Sequence, residues 1–359
     1  MRREIDFILT RTPGLKAKEI AKRLGVTRKE VNTFLHQNTD RYVKDDDYCW
    51  SSIGANEIEI TLPGKWLTAD DFESRLLRAD DMDSSPGSLV RVVFTNRCKP
   101  MIDCTARLLS LANQCAHQGR EVELDFSAAD STFTYLDRAG FFDNLAPDVV
   151  VLPERPSESA AVRHRGNSDT LVEFGCVDPD IENDELINQL TEKFVARTTS
   201  DYLTAAYTVF SELIKNVAEH SETPIPGFAG LQRYQGNREH IQTVISDSGI
   251  GIASTLRPSL REHYPHLFTQ FGQSSLESDM GLVAEVMSKG EISRSGGANG
   301  LGFKSSREQA VKFNVLFSVR QENFCLKLLY ENGALVDIKR ETGLRKLLGT
   351  HICFDFFLA

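Results

Sequence analysis

Three motifs that follow one another in the C-terminal half, between Leu171 and Ala359, constrain this 359-residue chain most. The first lies in DYLTAAYTVFSELIKNVAEHS. Ala206, Phe210, Leu213 and Val217 recur at helical spacing and predict one buried stripe. Glu212 and Asn216 are four residues apart, so they project from one face, one turn apart. An Asn oxygen can ligate a hard cation such as Mg²⁺, and a Glu can serve as general base. The second motif, IQTVISDSGIGI, is an apolar strand ending in Asp247, Ser248, Gly249, Ile250 and Gly251. An Asp at a strand end can accept a hydrogen bond from an exocyclic amine such as adenine N6. The two glycines let backbone pass close to a planar ligand. The third, SGGANGLGFKSS, holds Gly296, Gly297, Gly300 and Gly302 ahead of a predicted helix, SSREQAVKF. Free N–H groups and the dipole at a glycine-rich helix entry both favour phosphate. Each motif alone has a plainer explanation: a solvated helix face, a turn, or a loop.

In this order, ELIKN, DSGIG, NGLGF and a terminal strand after Gly349 and Thr350 resemble the GHKL family of ATP-binding domains (gyrase, Hsp90, histidine kinase, MutL). The resemblance spans about half the chain. It implies Asn216 as the Mg²⁺ ligand, Asp247 as the adenine reader and Glu212 as the general base. It also implies a base pocket shaped by Gly249 and Gly251, phosphates held at Gly296, Gly297, Gly300 and Gly302, and a cofactor contact at Thr350. The implied fold for 170–359 is a two-layer α/β sandwich of the Bergerat type, with nucleotide between helices and a mobile lid. ELIKNVAEHS looks most like the anti-sigma serine-kinase branch, through Glu212, Asn216, Glu219 and His220. The stretch 252–295 departs from that branch: it is far longer than a compact lid and carries its own helical pattern, SDMGLVAEVMSKG. His263 and His266 read as lid residues.

Two segments precede this one. In 1–52, Ile5, Ile8 and Leu9 sit at helical spacing, LKAKEIAKRLG reads as a helix ended by Gly25, and Thr27 with Glu30 predicts a capping box for a third helix. RYVKDDDYCWSS reads as a short β-hairpin. The order resembles a winged helix-turn-helix domain. If DNA is bound, the resemblance puts Arg28, Lys29, Asn32 and Thr33 in the major groove; the competing reading is protein contact. In 56–153 strands alternate with helices, which predicts an α/β layer. Strand, helix, LDFS and a helix ending near GFF resemble a STAS (anti-sigma-factor antagonist) domain, read here as a degenerate interaction module, with Ser131 and Thr132 weighed and disfavoured as phosphate acceptors. The polar stretch 154–169 reads as a linker. The fold class expected is therefore α+β multidomain.

Charge is uneven. Eleven basic against five acidic side chains leave +6 on residues 1–44, so the remainder carries −16 of the net −10. A basic end on an acidic body suits nucleic acid at that end only. No apolar run approaches the length of a membrane span, and no signal segment opens the chain, which predicts a cytoplasmic protein. The seven cysteines show no CxxC spacing and read as reduced, mostly buried thiols. The expected partners are ATP with Mg²⁺, duplex DNA at the N-terminal domain, a protein at the STAS-like domain and no membrane, with a homodimer left open. Three readings follow: an ATP-dependent regulatory switch with slow hydrolysis, a serine/threonine protein kinase of the partner-switch type, and a nucleotide-sensing DNA-binding regulator without catalysis.

Overall fold

Helix α1 (Arg2–Arg11), α2 (Ala17–Leu24) and α3 (Arg28–Gln37) enclose a small core of Ile5, Leu9, Ile20, Val31, Leu35 and Trp50. Thr27 Oγ1 accepts from the Glu30 N–H at 3.2 Å, and Glu30 Oε2 accepts from the Thr27 N–H at 2.8 Å. Two amide donors that a helix start leaves orphaned are thereby satisfied. Strands β1 (Leu15–Lys16), β2 (Tyr42–Lys44) and β3 (Cys49–Ser52) form an antiparallel sheet in the order β1-β3-β2. β2 and β3 are the hairpin expected there. The computed structural model describes residues 1–39, 41–52, 57–79, 89–180, 182–196, 198, 200, 203–220, 222–236, 238–289, 292 and 314–358.

The next segment carries a parallel sheet ordered β4 (Glu57–Leu62), β6 (Leu89–Phe94), β8 (Glu121–Asp125) and β9 (Val150–Leu152). In β4, Ile58, Ile60 and Leu62 are buried and the residues between them exposed, as a period of two requires. A short parallel pair, β5 (Trp66–Leu67) with β7 (Lys99–Pro100), flanks it. Helices α4 (Ala69–Arg78), α5 (Ile102–His117) and α6 (Asp130–Arg138) connect the strands. Residues 154–169, expected to be a linker, contain a helix, α7 (Ala160–His164). Ser159 Oγ caps it by accepting from the Val162 N–H at 3.0 Å. Ahead of it, Arg155 donates to the carbonyls of Leu145, Ala146 and Val149. A few specific anchors order this stretch without an apolar pattern.

The C-terminal segment is an antiparallel sheet ordered β10 (Leu171–Val177), β11 (Gly227–Tyr234), β12 (His240–Ser246), β14 (Ala334–Phe357) and β13 (Val315–Glu331). The closing strand starts well before Thr350, where the motif order had put it, because β13 and β14 form one long hairpin. Helices α8 (Asp184–Val195), α9 (Leu203–His220), α10 (Gly251–His263), α11 (Pro265–Phe271) and α12 (Leu276–Lys289) join this sheet in one core with Phe194, Phe210, Leu213, Leu260, Val286 and Phe354. Most of the stretch expected to be a lid is thus three helices with buried Leu256, Leu260, Leu282 and Val286.

The other face of that sheet meets α5. Val244, Phe228 and Cys353 share a core with Ile58, Val92 and Leu108 of the preceding segment, whereas Ile241 and Ile245, on the opposite side of β12, face the helices. Helix α5 therefore lies between two sheets and is buried at nearly every position from Ile102 to Cys115. Its polar residues meet the C-terminal segment. Arg107 Nη1 donates to Glu73 Oε1 of α4 at 2.9 Å, and Arg320 Nε of β13 donates to the same oxygen at 3.0 Å. Glu73 and Arg107 are almost fully buried and Arg320 is 0% exposed. Removing one partner strands buried charge, which costs several kcal/mol. Glu73→Ala is expected to destabilise the chain by about 3–5 kcal/mol in urea denaturation. Asp70→Ala, which removes an exposed carboxylate 2.6 Å from Lys327, is expected to cost under about 1 kcal/mol.

Candidate functional site

Strand β12 delivers Asp247 to the end of the sheet, where its carboxyl group is buried at 6% exposure. The Gly249 N–H donates to Asp247 Oδ1 at 2.7 Å, and the Asp247 N–H donates to the Thr350 carbonyl at 3.0 Å. The turn Asp247-Ser248-Gly249 is thus closed by its own first side chain, as short Asx turns are. Gly251, at φ 78, then opens α10, in a conformation that disfavours any side chain. A methyl group there would also meet Gln321 Nε2 at 2.8 Å.

A break in the β13–β14 ladder shapes the neighbouring wall. Gln321 pairs with Thr350, and Glu322 pairs with Leu347, so Leu348 and Gly349 are left over on β14. Extra residues of this kind form a bulge and lose ladder partners. Gln114 of α5 replaces those partners: its Oε1 accepts from the Leu348 N–H at 2.8 Å and its Nε2 donates to the Leu348 carbonyl at 3.0 Å. The same Nε2 donates to Ser248 Oγ at 2.9 Å. Gly349, at φ 87, brings its backbone so near that a Cβ would lie 2.1 Å from the Asp247 carbonyl oxygen. Gln321 Nε2 donates to Thr350 Oγ1 at 2.8 Å, and both residues are buried. His351 Nε2 lies 3.0 Å from the Leu348 carbonyl. Burial, with Arg320 and Arg107 close by, pushes this imidazole well below its ordinary range and keeps it neutral.

Helix α9 brings the first motif to this end of the sheet. Gly227, at the start of β11, has no side chain, and a Cβ there would lie 2.4 Å from Val217 Cγ1 and 2.8 Å from the Ser246 carbonyl. That gap lets the turn of α9 carrying Val217 sit against the last residue of β12. Asn216 precedes Val217, and both Glu212 and Asn216 are half-buried. The buried stripe Ala206, Phe210, Leu213 and Val217 runs along the core face of α9, as its spacing predicts. Gly296, Gly297, Gly300 and Gly302 lie outside the described residues, as does the helix expected at SSREQAVKF. The start of the glycine motif follows the end of α12 at Lys289 by six residues.

A buried carboxyl group at a strand end, closed by glycine turns, thus lies at the end of the sheet reached by a helix carrying an Asn and a Glu. Residues 202–339 match the family model of histidine kinase-, DNA gyrase B-, and HSP90-like ATPases. This stretch of the chain is a GHKL-type ATP-binding domain. The match takes in Glu212, Asn216, Asp247, Gly249, Gly251 and the glycine cluster. It ends inside β14, short of Thr350. No curated protein matches the chain. No described helix is long and apolar enough to cross a membrane. Among the described residues no group of three or more His, Cys, Asp or Glu could hold a metal, and His263 and His266 are both exposed. The side-chain oxygen of Asn216 still fits Mg²⁺, because that ion takes one or two protein oxygens together with nucleotide phosphates and water.

Gln114, Ser248, Gln321 and His351 were not singled out by motif. One signal did point to the first of them. Arg107, Ser110 and Gln114 recur at i, i+3 and i+7 in an otherwise apolar helix, and a polar stripe on a buried helix implies polar partners. Ser110 Oγ lies 3.4 Å from His351 Nδ1.

Burial pushes the Asp247 carboxyl up to about 6 from 3.8, against hydrogen bonds from Gly249 and Thr350 that act the other way. A carboxyl raised in the folded state favours folding while protonated, and that contribution is lost as pH rises through the folded value. Between pH 5 and 7.5 the ligand-free chain should lose about 1–2 kcal/mol through Asp247 alone. In Asp247→Asn that loss should be absent. Urea denaturation of both proteins at the two pH values measures the difference.

Proposed function

We propose that the chain is an ATP- and Mg²⁺-dependent regulatory switch in which slow hydrolysis resets a nucleotide-induced change. The observation that carries this reading is the buried Asp247 carboxylate, locked by Gly249 and Thr350 at the strand end where a base amine would dock. It accepts once ionised, and burial pushes that step up to about 6. Asn216 would hold Mg²⁺ against the phosphates, and Glu212 would take the proton of the attacking water. Bound Mg²⁺ would supply charge neutralisation at the phosphates. The glycine cluster follows α12 in sequence, so phosphates held there would pull on the helices of 252–289 and, through Gln114, on α5.

The output side rests on the first two segments, read as a winged helix and a degenerate STAS-like module. Arg28, Lys29 and Thr33 are exposed on α3 and Asn32 is half-buried, which suits contact with duplex DNA. A protein partner on the parallel-sheet segment, and self-association, are compatible with the same switch.

ATP binding and turnover with Mg²⁺, measured for wild type, Asp247→Asn and Glu212→Ala, test the reading. Asp247→Asn should weaken ATP binding by about tenfold or more, about 1.4 kcal/mol. Glu212→Ala should bind within about threefold of wild type and lose about 10²-fold in turnover. Protection of 252–295 against hydrogen exchange should rise with ATP and Mg²⁺. Label from γ-phosphate found on protein in place of free phosphate would convert the reading to a serine/threonine kinase. No binding by wild type would leave a DNA- or protein-binding adaptor on an inactive ATPase fold. Charge reversal at Arg28 and Lys29 should lower duplex affinity and reduce its salt slope by about two.

A further inference from the structure

β12 has a second end. At His240, on the sheet face that carries α5, a cleft of about 630 Å³ opens between the parallel-sheet segment and the β11–β12 turn. Its walls are aromatic. Tyr234 stacks on His240 with centroids 5.1 Å apart, and Trp66 meets Tyr234 edge-on at 6.0 Å. Trp66 is 57% exposed. Lys99 Nζ sits 5.3 Å from the Trp66 ring centroid, and among the described residues it forms no salt bridge. Arg233, the other cation at the rim, is neutralised by Glu239. Deeper in, Thr132 Oγ1 donates to the Cys98 carbonyl, and Tyr234 Oη accepts from the Ile102 N–H at 2.7 Å. The Tyr135 hydroxyl lies buried beside that of Tyr234.

We propose that this cleft is a second ligand site and that it takes a small, flat aromatic acid. The ring lies against Trp66 and Tyr234, where stacking rewards a planar π-system. The carboxylate pairs with Lys99. The site is separate from the nucleotide site: His240 and Asp247 stand seven residues apart at opposite ends of one strand, about 23 Å at 3.3 Å per residue. Trp66, Lys99 and Tyr135 come from one segment and Tyr234 and His240 from the other, so the ligand would bridge the two.

Isothermal titration of the full chain with naphthalene-2-carboxylate tests this. Saturable binding is expected with a Kd below about 1 mM. Trp66→Ala and Lys99→Gln, both exposed positions whose replacement spares the core, should each weaken it by about fivefold or more. Saturating ATP with Mg²⁺ should leave the probe bound, with no competition. The proposal is overturned if wild type shows no saturable binding, if Trp66→Ala and Lys99→Gln bind like wild type, or if ATP displaces the probe. It is also overturned if naphthalene-2-methanol, which has the ring without the charge, binds as tightly as the acid.

Discussion

One carboxylate, Glu73, serves two buried guanidiniums, and the layering of the molecule turns on that arrangement. Arg107 comes from α5 and Arg320 from β13. Neither charge is tolerable in the interior without the carboxylate, and the carboxylate is equally intolerable alone. Arg320 also donates to the carbonyls of Leu347, Glu322 and Arg345. These lie where the β13–β14 ladder slips register, so the guanidinium substitutes for strand partners the slip removes. The ion cluster thus holds open the irregularity that presents Leu348 and Gly349 to Gln114 and Asp247. Charge pairing at one level of the sheet sets backbone geometry at the next.

β12 ties these features together. Its period-two alternation sends Ile241 and Ile245 to the helical layer and Val244 to α5. Its C-terminal end leads into Asp247, and its N-terminal end borders the aromatic cleft. A strand hydrogen-bonded on both sides, by β11 and β14, is among the stiffest elements a fold offers.

What could be read from sequence was local. The Thr27–Glu30 cap, the α9 stripe and the Asp247-Ser248-Gly249 turn each close within a few residues, so residue type nearly determines geometry. The helices of 252–289 belong to the same class. Leu256, Leu260, Leu282 and Val286 carry a core stripe; the lid reading came from the family resemblance, not from these residues. The remainder is non-local. Gln114 is 134 residues from Ser248 and 234 from Leu348, and its role appears only when α5 is known to have two buried faces. The seam between the segments was missed for the same reason, since an alternating pattern shows which residues are buried but not what covers them. Arg155 at 154–169 is a further case: three carbonyls order a stretch that has no periodicity. The glycine cluster proposed to hold phosphate rests on its sequence alone, within the stretch the family model matches.

The doubly covered sheet bears on modularity. ATP-binding domains are often pictured as cassettes that recombination moves between proteins. Here Leu171, Phe174, Phe228, Val244, Leu347 and Cys353 are buried in the same core as the parallel-sheet segment. Excised at residue 170, the nucleotide-binding half would carry an uncovered apolar sheet face into water, a surface prone to self-association. Its inheritance is therefore tied to that of its neighbour. Substitutions at Phe228 or Val244 would be constrained by side chains encoded more than a hundred residues upstream, and the two halves are expected to drift as one evolutionary unit.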